Sequence, residues 1–141
     1  MSVVALDVGS KRIGVAIADP SQNFAIPLTV IERSDARADI ARVKELLRLH
    51  DAREVVIGDP ITLAGERGPA AHQIDRFVNR LAQTFDGTIH RIDERLTTAQ
   101  ATKTLLAADV SRSRRRSAVD KMAAALILET FLARRRNVGS S

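Results

Sequence analysis

Cysteine, tryptophan and tyrosine are all missing from this chain of 141 residues, and only four phenylalanines supply aromatic rings. Without cysteine there can be neither disulfides nor thiolate metal sites, so a metal would have to bind carboxylates, which favour hard cations such as Mg2+ or Mn2+. Stacking on bases cannot dominate nucleic-acid binding when aromatic rings are so scarce. No apolar run approaches the roughly 18 residues of a membrane helix, and no basic segment precedes the apolar N-terminus. We therefore expect no membrane span and no signal peptide, and a cytoplasmic protein.

The rest of the composition is that of a basic, folded domain. Hydrophobic residues make up 45% of the chain and charged residues 28%, a mixture typical of globular rather than disordered proteins. We expect one domain over residues 1–135 and a frayed tail over 136–141. The net charge of +5 and the pI near 10.6 suit arginine forks that bind phosphates. A nucleic-acid partner is therefore predicted, although a solvated basic surface would give the same composition.

Alternation and helical spacing predict an α/β domain, a five-stranded mixed sheet with flanking helices in the order βββαβαβαα. Short turns between the first three strands indicate an antiparallel meander. Pro27 lies inside the third strand, which indicates either an edge strand or a strand that begins near Leu28. In chain order, the predicted strands are 3–8, 13–18, 26–31, 54–58 and 88–93. The predicted helices are 35–50, about 74–85, 97–108 and 117–134.

Asp7 interrupts an apolar strand, where an uncompensated carboxylate is costly to bury. A divalent cation would compensate its charge, and so would hydrogen bonds from the turn that follows, and the residue alone leaves both interpretations open. Gly9 and Gly14 allow a ligand to approach the backbone closely. Lys11 and Arg12 lie on the hairpin tip between them and are candidate phosphate contacts. Asp7 is therefore a candidate metal ligand.

Asp93 and Glu94 supply two adjacent carboxylates at the end of a strand. Successive side chains of a strand point to opposite faces of the sheet, so one of the two can share a face with Asp7. We favour Glu94 and keep Asp93 as the alternative acid. In the competing interpretation, Asp93 pairs with Arg95 or caps the helix at Thr97 while Glu94 is simply exposed.

Asp120 is the third candidate acid. Ser117 to Asp120 matches a capping box, in which the acid stabilises the first turn of a helix, and an acid placed there can also reach a metal at the sheet edge. Three acids from two strands and a helix suit two-metal hydrolysis of a phosphodiester. The sequence has no Walker loop and no Gly-x-Ser-x-Gly elbow, and its three histidines lack zinc-site spacing.

Basic residues flank this third acid in the sequence. Arg112, Arg114, Arg115 and Arg116 form a predicted loop just before it, and Lys121 follows it. We predict that these side chains contact substrate phosphates, because a cluster of arginines is the electrostatic signature of backbone binding. A solvated loop is the alternative.

Four motifs occur in order along the chain: ALDVGSKRIGVAIAD at 5–19, VVIGDPITLAGERG at 55–68, DERLTT at 93–98 and VDKMAAALIL at 119–128. Together they resemble the YqgF/RuvX-type family of Holliday junction resolvase-like proteins, which are also described as pre-16S rRNA nucleases. The resemblance runs from about Val3 to Ala133. It implies an RNase H-like fold and an acidic site of Asp7, Glu94 and Asp120, which coincide with the acids favoured above.

One position departs from the second motif. Asp59 stands where the family usually has an apolar residue. It could add a charge near the substrate or start a turn before Pro60, and we favour the turn.

The resemblance implies a hydrolase, a divalent-metal-dependent endonuclease with Mg2+ or Mn2+ as cofactor. Family members are credited with 5′-end processing of pre-16S rRNA in ribosome biogenesis and with cleavage of branched DNA in recombination and repair. We favour structured RNA as the substrate, with branched DNA as the alternative. The chain is expected to act as a monomer or as a homodimer, the latter matching a two-fold junction. Outside this class, a noncatalytic nucleic-acid-binding protein or a nucleotide-binding module remains an alternative.

Overall fold

The computed structural model describes residues 2–21, 24–60, 68–93 and 113–139, with the side chains of the last range given for 120–137. The predicted helix at 97–108 lies outside the described residues. The elements are β1 Ser2–Val8, β2 Arg12–Ala18, β3 Ala25–Glu32, α1 Ala36–Leu49, β4 Ala52–Asp59, α2 Pro69–Ala82, β5 Thr88–Asp93 and α3 Ser113–Gly139. Within the described residues, no helix is both long and apolar enough to cross a membrane.

The five strands form one mixed sheet in the order β3-β2-β1-β4-β5. The first three strands are antiparallel neighbours, while β4 is parallel to both β1 and β5. The predicted meander and the edge position of β3 are therefore confirmed. Pro27 lies opposite Ala16, and the register shifts so that Leu28 has no partner on β2. This bulge accommodates a residue that cannot donate a backbone hydrogen bond.

The two faces of the sheet are covered by different helices and have different side chains. On one face, large residues such as Leu6 and Ile57 pack with Val43 of α1 and Phe77 of α2. On the other face, β1 and β2 present several small residues to α3. These are Ala5, Ala16 and Ala18, and they meet Ala123, Ala124 and Leu128 of the helix. Because small side chains lie on both surfaces, α3 can approach the sheet closely.

Helix α3 corrects two predictions. It begins at Ser113 and ends at Gly139, so it extends the predicted helix at both ends. The backbone of Arg114, Arg115 and Arg116 is helical and not a loop, in keeping with the good helix propensity of arginine. Asp120 therefore lies about two turns inside the helix, and the interpretation of Ser117 to Asp120 as a capping box was wrong.

Candidate active site

Asp7 lies near the end of β1 and is only 4% exposed. Its neighbour across the antiparallel pair is Gly14 of β2. Val3 and Ala5, which alternate with it along β1, pack in the cluster beneath α3. Strand alternation therefore directs the carboxylate of Asp7 toward α3, at the end of the sheet where the hairpin to β2 begins.

Gly14 brings the second acid to this place. A Cβ atom built on Gly14 would lie 2.1 Å from the carbonyl oxygen of Asp120 and 2.6 Å from its carbonyl carbon. Real carbon and oxygen atoms do not approach so closely, so only glycine allows α3 to rest on β2 here. Directly opposite residues of an antiparallel pair share a face of the sheet. The contact at Gly14 therefore brings Asp120 to the face on which Asp7 lies.

Arg12 contributes a positive charge to the same place. It precedes Gly14 by two residues on β2, and its Nε donates a hydrogen bond of 2.9 Å to Oδ2 of Asp120. The two side chains are 20% and 18% exposed, so the pair is largely shielded from water. Arg12 thus neutralises Asp120 and fixes the direction of its carboxylate, a contact that sequence analysis did not anticipate for a residue predicted to bind phosphate.

The other predicted site residues are only partly covered by the structure. Lys11 is exposed on the hairpin tip, and Lys121 is half-buried next to Asp120. Glu94 and Arg112 lie outside the described residues. The other predicted basic residues lie on the first turns of α3, where only the backbone is described: Arg114, Arg115 and Arg116.

Asp93 can be placed on a face of the sheet. It ends β5 opposite Asp59 of β4, and the preceding residue, Ile92, packs in the cluster beneath α3. By strand alternation Asp93 belongs to the face covered by α1 and α2, which is not the face of Asp7. The reasoning that favoured its neighbour Glu94 agrees with this placement, and Glu94 itself remains a prediction.

The turn predicted to start at Asp59 runs into residues outside the described ranges, so it stays a prediction. Asp59 itself is described. It is the last residue of β4 and only 7% exposed. Arg91 of β5 donates hydrogen bonds to Asp59 Oδ1 at 3.2 Å and to Asp75 Oδ1 of α2 at 2.7 Å. The charge of Asp59 is therefore balanced by an arginine on the face opposite Asp7.

Sequence analysis also missed a buried acid beside the hairpin, Asp39, which is 1% exposed. Its Oδ2 accepts a hydrogen bond of 3.0 Å from Arg33 Nε, and its Oδ1 accepts one of 2.9 Å from the Ser34 amide. Burial raises the pKa of Asp39, but these bonds and the Arg33 charge outweigh burial and hold its pKa below the ordinary value. The available signal was its position four residues before Val43, on the apolar stripe of α1.

The donor set of the site fits a hard divalent cation. Asp7 and Asp120 offer carboxylate oxygens, the ligands that Mg2+ and Mn2+ prefer. Within the described ranges, no group of three or more His, Cys, Asp or Glu side chains is close enough to hold a metal. The third predicted ligand, Glu94, lies beyond those ranges, so the described residues supply two of the three expected acids.

Comparison with known proteins identifies close relatives over nearly the whole chain. A protein of Moorella thermoacetica named "Putative pre-16S rRNA nuclease" is 43% identical over 134 residues, which cover 95% of this chain and 96% of the relative. A protein of Thermoanaerobacter pseudethanolicus with the same name is 40% identical over 138 residues, or 97% and 99% of the two chains.

Solved structures support the fold. RuvC of T. thermophilus in complex with a Holliday junction substrate superimposes with a TM-score of 0.61 at 17% identity, with 96% of each chain covered. This similarity confirms the predicted RNase H-like fold. The family model of RuvX, described as a Holliday junction resolvase, matches residues 1–134. The chain therefore belongs to the RuvX family, as its four motifs predict.

Proposed function

We propose that this protein is a divalent-metal-dependent nuclease that hydrolyses phosphodiester bonds. The observation that carries the proposal is that two acids, Asp7 of β1 and Asp120 of α3, both neighbour Gly14 on one face of the sheet. A carboxylate as buried as Asp7 is retained where a charge nearby balances it. The relatives are named as nucleases, which supports the same reaction class.

The chain's own residues divide the work of such a site. Asp7 is held by a central strand and Asp120 by a helix packed on that strand, so both are rigid ligands, with Glu94 as the proposed third. Arg12 orients Asp120 and keeps a positive charge beside the place where a phosphate would lie. Bound Mg2+ or Mn2+ supplies an activated water and stabilises the leaving oxygen in sites of this kind.

The remaining basic residues are proposed to hold the substrate backbone. They are Lys11 on the hairpin, Lys121 on α3, and Arg112 and Arg114–Arg116 before and at the start of that helix. Residue 116 lies about one turn before Asp120, so this basic segment adjoins the acid site along the helix. Phosphate contacts position a nucleic acid without reading its bases, in keeping with the scarcity of aromatic residues.

The favoured substrate is the 5′ end of pre-16S rRNA. The relatives that carry this name are about 40% identical over nearly the full chain. Processing of this RNA would make the protein a ribosome-biogenesis factor that works in the cytoplasm. Branched DNA is the second candidate, since the family is described as a Holliday junction resolvase and the fold matches RuvC. A junction resolvase would act as a homodimer whose symmetry matches that of the junction.

A cleavage assay separates the two substrates. The protein is incubated with a pre-16S rRNA fragment or with a four-way DNA junction, in Mg2+ and in Mn2+, and solution mass is measured on each substrate. Cleavage of the RNA by a monomer would support the favoured substrate, whereas paired nicks in the junction by a dimer would support the second. Cleavage of neither substrate in either metal would contradict the proposed function.

Substitution of the acids tests the site. Asp7→Asn and Asp120→Asn should each abolish cleavage and weaken Mn2+ binding measured by calorimetry, because each removes a charged ligand. Asp59→Asn is the matched control, since Asp59 lies at the same end of the sheet but on the opposite face. It should retain Mn2+ binding and cleavage. Equal loss of Mn2+ affinity in all three variants would show that the metal is not held by Asp7 and Asp120.

A further inference from the structure

A second basic site lies on the face of the sheet opposite Asp7. There a cleft of about 340 Å³ opens between the β1–β2 hairpin, the start of α1 and one side of α2. We name it the α1–α2 cleft. Its polar lining consists of Ser10, Arg33, Ser34, Gln73, Arg76 and Arg80 around the buried Asp39. The cleft shares the hairpin tip with the acid site, so the two sites adjoin across the edge of the sheet.

The floor of the α1–α2 cleft is rigid and already neutralised. Arg33 donates from Nη1 to the carbonyl oxygen of Gly9 at 2.9 Å and from Nε to Asp39 at 3.0 Å, and its guanidinium lies 6.0 Å from the centre of the Phe77 ring. Among the described residues that line the cleft, Asp39 is the only one with a carboxylate. Both of its oxygens accept hydrogen bonds from Arg33 and Ser34. The charge of Asp39 is therefore already balanced by Arg33, independently of Arg76 and Arg80 on α2.

Arg76 and Arg80 have no partner among the described residues. Gln73, Arg76 and Arg80 follow the helical spacing i, i+3, i+7, so they lie along one side of α2. Across the part of the chain that the structure describes, the side chains of Arg76 and Arg80 make no ion pair and no hydrogen bond. By contrast, Asp75 on the neighbouring side of the helix is bound to Arg91. The cleft thus concentrates free guanidinium donors beside a balanced floor.

We propose that the α1–α2 cleft binds a phosphate group of the nucleic-acid backbone, as a subsite for the strand whose scissile bond lies at Asp7 and Asp120. Guanidinium forks match the oxygens of a phosphate, while the hydroxyls of Ser10 and Ser34 and the Gln73 amide add neutral donors. The volume suits one or two phosphate groups and excludes a duplex.

The hairpin couples this subsite to the acid site. Arg33 binds the carbonyl oxygen of Gly9 through its side chain and that of Lys11 through its amide. The same hairpin carries Asp7 at one base and Arg12 at the other. A nucleic-acid strand that crosses the tip of the β1–β2 hairpin would therefore place phosphates on both sides of this hairpin. The inference rests on the proposed nuclease function, since it assigns the cleft to the same substrate.

Binding without turnover tests the subsite. The affinity of a labelled pre-16S rRNA fragment is measured by fluorescence anisotropy over a salt series, in Ca2+ to prevent cleavage. The double variant Arg76→Gln/Arg80→Gln is compared with Lys44→Gln/Arg53→Gln, which removes the same charge at the opposite end of the sheet. The cleft variant should bind at least tenfold more weakly. Its slope of log affinity against log salt should fall by roughly 1.5, following the release of counterions from two phosphates.

Two further arms distinguish a strand phosphate from a free one. Inorganic phosphate and a mononucleotide are titrated as competitors of the labelled RNA. Weak competition by both, together with the change of slope confined to the cleft variant, supports a backbone subsite. Tight binding of inorganic phosphate that leaves RNA affinity unchanged would overturn the proposal in favour of a free-anion site. Equal slopes in the two double variants would overturn it as well. Because the readout is binding, neither result depends on whether the RNA is cleaved.

Discussion

Replacing Gly14 with alanine should damage the acid site through geometry alone. The added Cβ would lie 2.1 Å from the carbonyl oxygen of Asp120, whereas a relaxed contact needs more than 3 Å. Because the obstructing atom belongs to the backbone of α3, no side chain can rotate away, and the helix must withdraw by roughly 1 Å. Overpacking of this kind destabilises a protein by about 1–3 kcal/mol, and we expect the upper end here.

Two measurements follow from this displacement. A loss of about 3 kcal/mol should lower the Tm by roughly 10 °C for a domain of this size, as measured by calorimetry. A displacement of about 1 Å between catalytic groups can lower the rate about 100-fold, so kcat/KM for RNA cleavage should fall by that factor. The rate is measured well below both unfolding transitions, so that unfolded protein does not contribute.

Gly87→Ala is the matched control for this experiment. A Cβ on Gly87 would lie 2.2 Å from the carbonyl oxygen of Arg53, an equally severe clash at the far end of the sheet. This variant should lose comparable stability and keep its kcat/KM. If both variants lose activity equally, general destabilisation explains the effect. If Gly14→Ala keeps the stability and rate of the natural protein, α3 does not rest on β2 as described.

The remaining predictions concern individual carboxylates. Asp39→Asn should lower the free energy of unfolding by about 3 kcal/mol because it leaves a largely buried arginine without its partner. Since the pKa of Asp39 is lowered on folding, the natural protein should lose this stability as the pH falls below about 3.8. The free energy of unfolding, measured in urea, should therefore fall less between pH 5 and pH 3 in the variant than in the natural protein. Hydrogen bonds from Arg135 and then His90 lower the pKa of Glu54, so these partners stabilise its charged form. Because the group is partly exposed, Glu54→Gln should reduce the free energy of unfolding by about 1 kcal/mol or less, and the difference should shrink in high salt. Glu94→Gln should reduce cleavage far more than Asp93→Asn in parallel rate measurements, and the reverse ranking would show that the wrong acid was chosen.

The strands could be predicted from the sequence because short apolar runs record burial on both faces of the sheet. The span predicted for β5 matches the observed strand Thr88–Asp93, and Pro27 indicated the edge position of β3. The start of α3 was misplaced because Ser117 and Asp120 match the pattern of a capping box. The three arginines before Ser117 have good helix propensity, so the helix can equally begin before them, as it does at Ser113. Local patterns cannot rank two plausible starting points when packing against the sheet makes the choice.

The candidate site was predictable to a different extent. Asp7 could be identified as a candidate site residue because a carboxylate within an apolar strand is costly to bury unless its charge is compensated. The ion pair between Arg12 and Asp120 was not, because it joins residues 108 positions apart through a contact that depends on the absence of a side chain at Gly14. The pairing of Asp59 with Arg91 was not predictable either, because Arg91 lies on another strand. Such pairings are properties of the assembled sheet.

The proline and bulge in β3 also bear on how the protein behaves at high concentration. An outer strand presents unsatisfied backbone groups to which a strand from another molecule can add. Phe24, just before β3, and Ile26 within it are 66% and 46% exposed and make this edge apolar. Pro27, near the start of β3, has no backbone N–H to donate, and the extra residue at Leu28 interrupts the regular hydrogen-bond spacing that a straight partner strand needs. The strand is thereby protected against continuous pairing, and if Pro27 were replaced by valine, the first consequence would be aggregation through this edge rather than loss of fold.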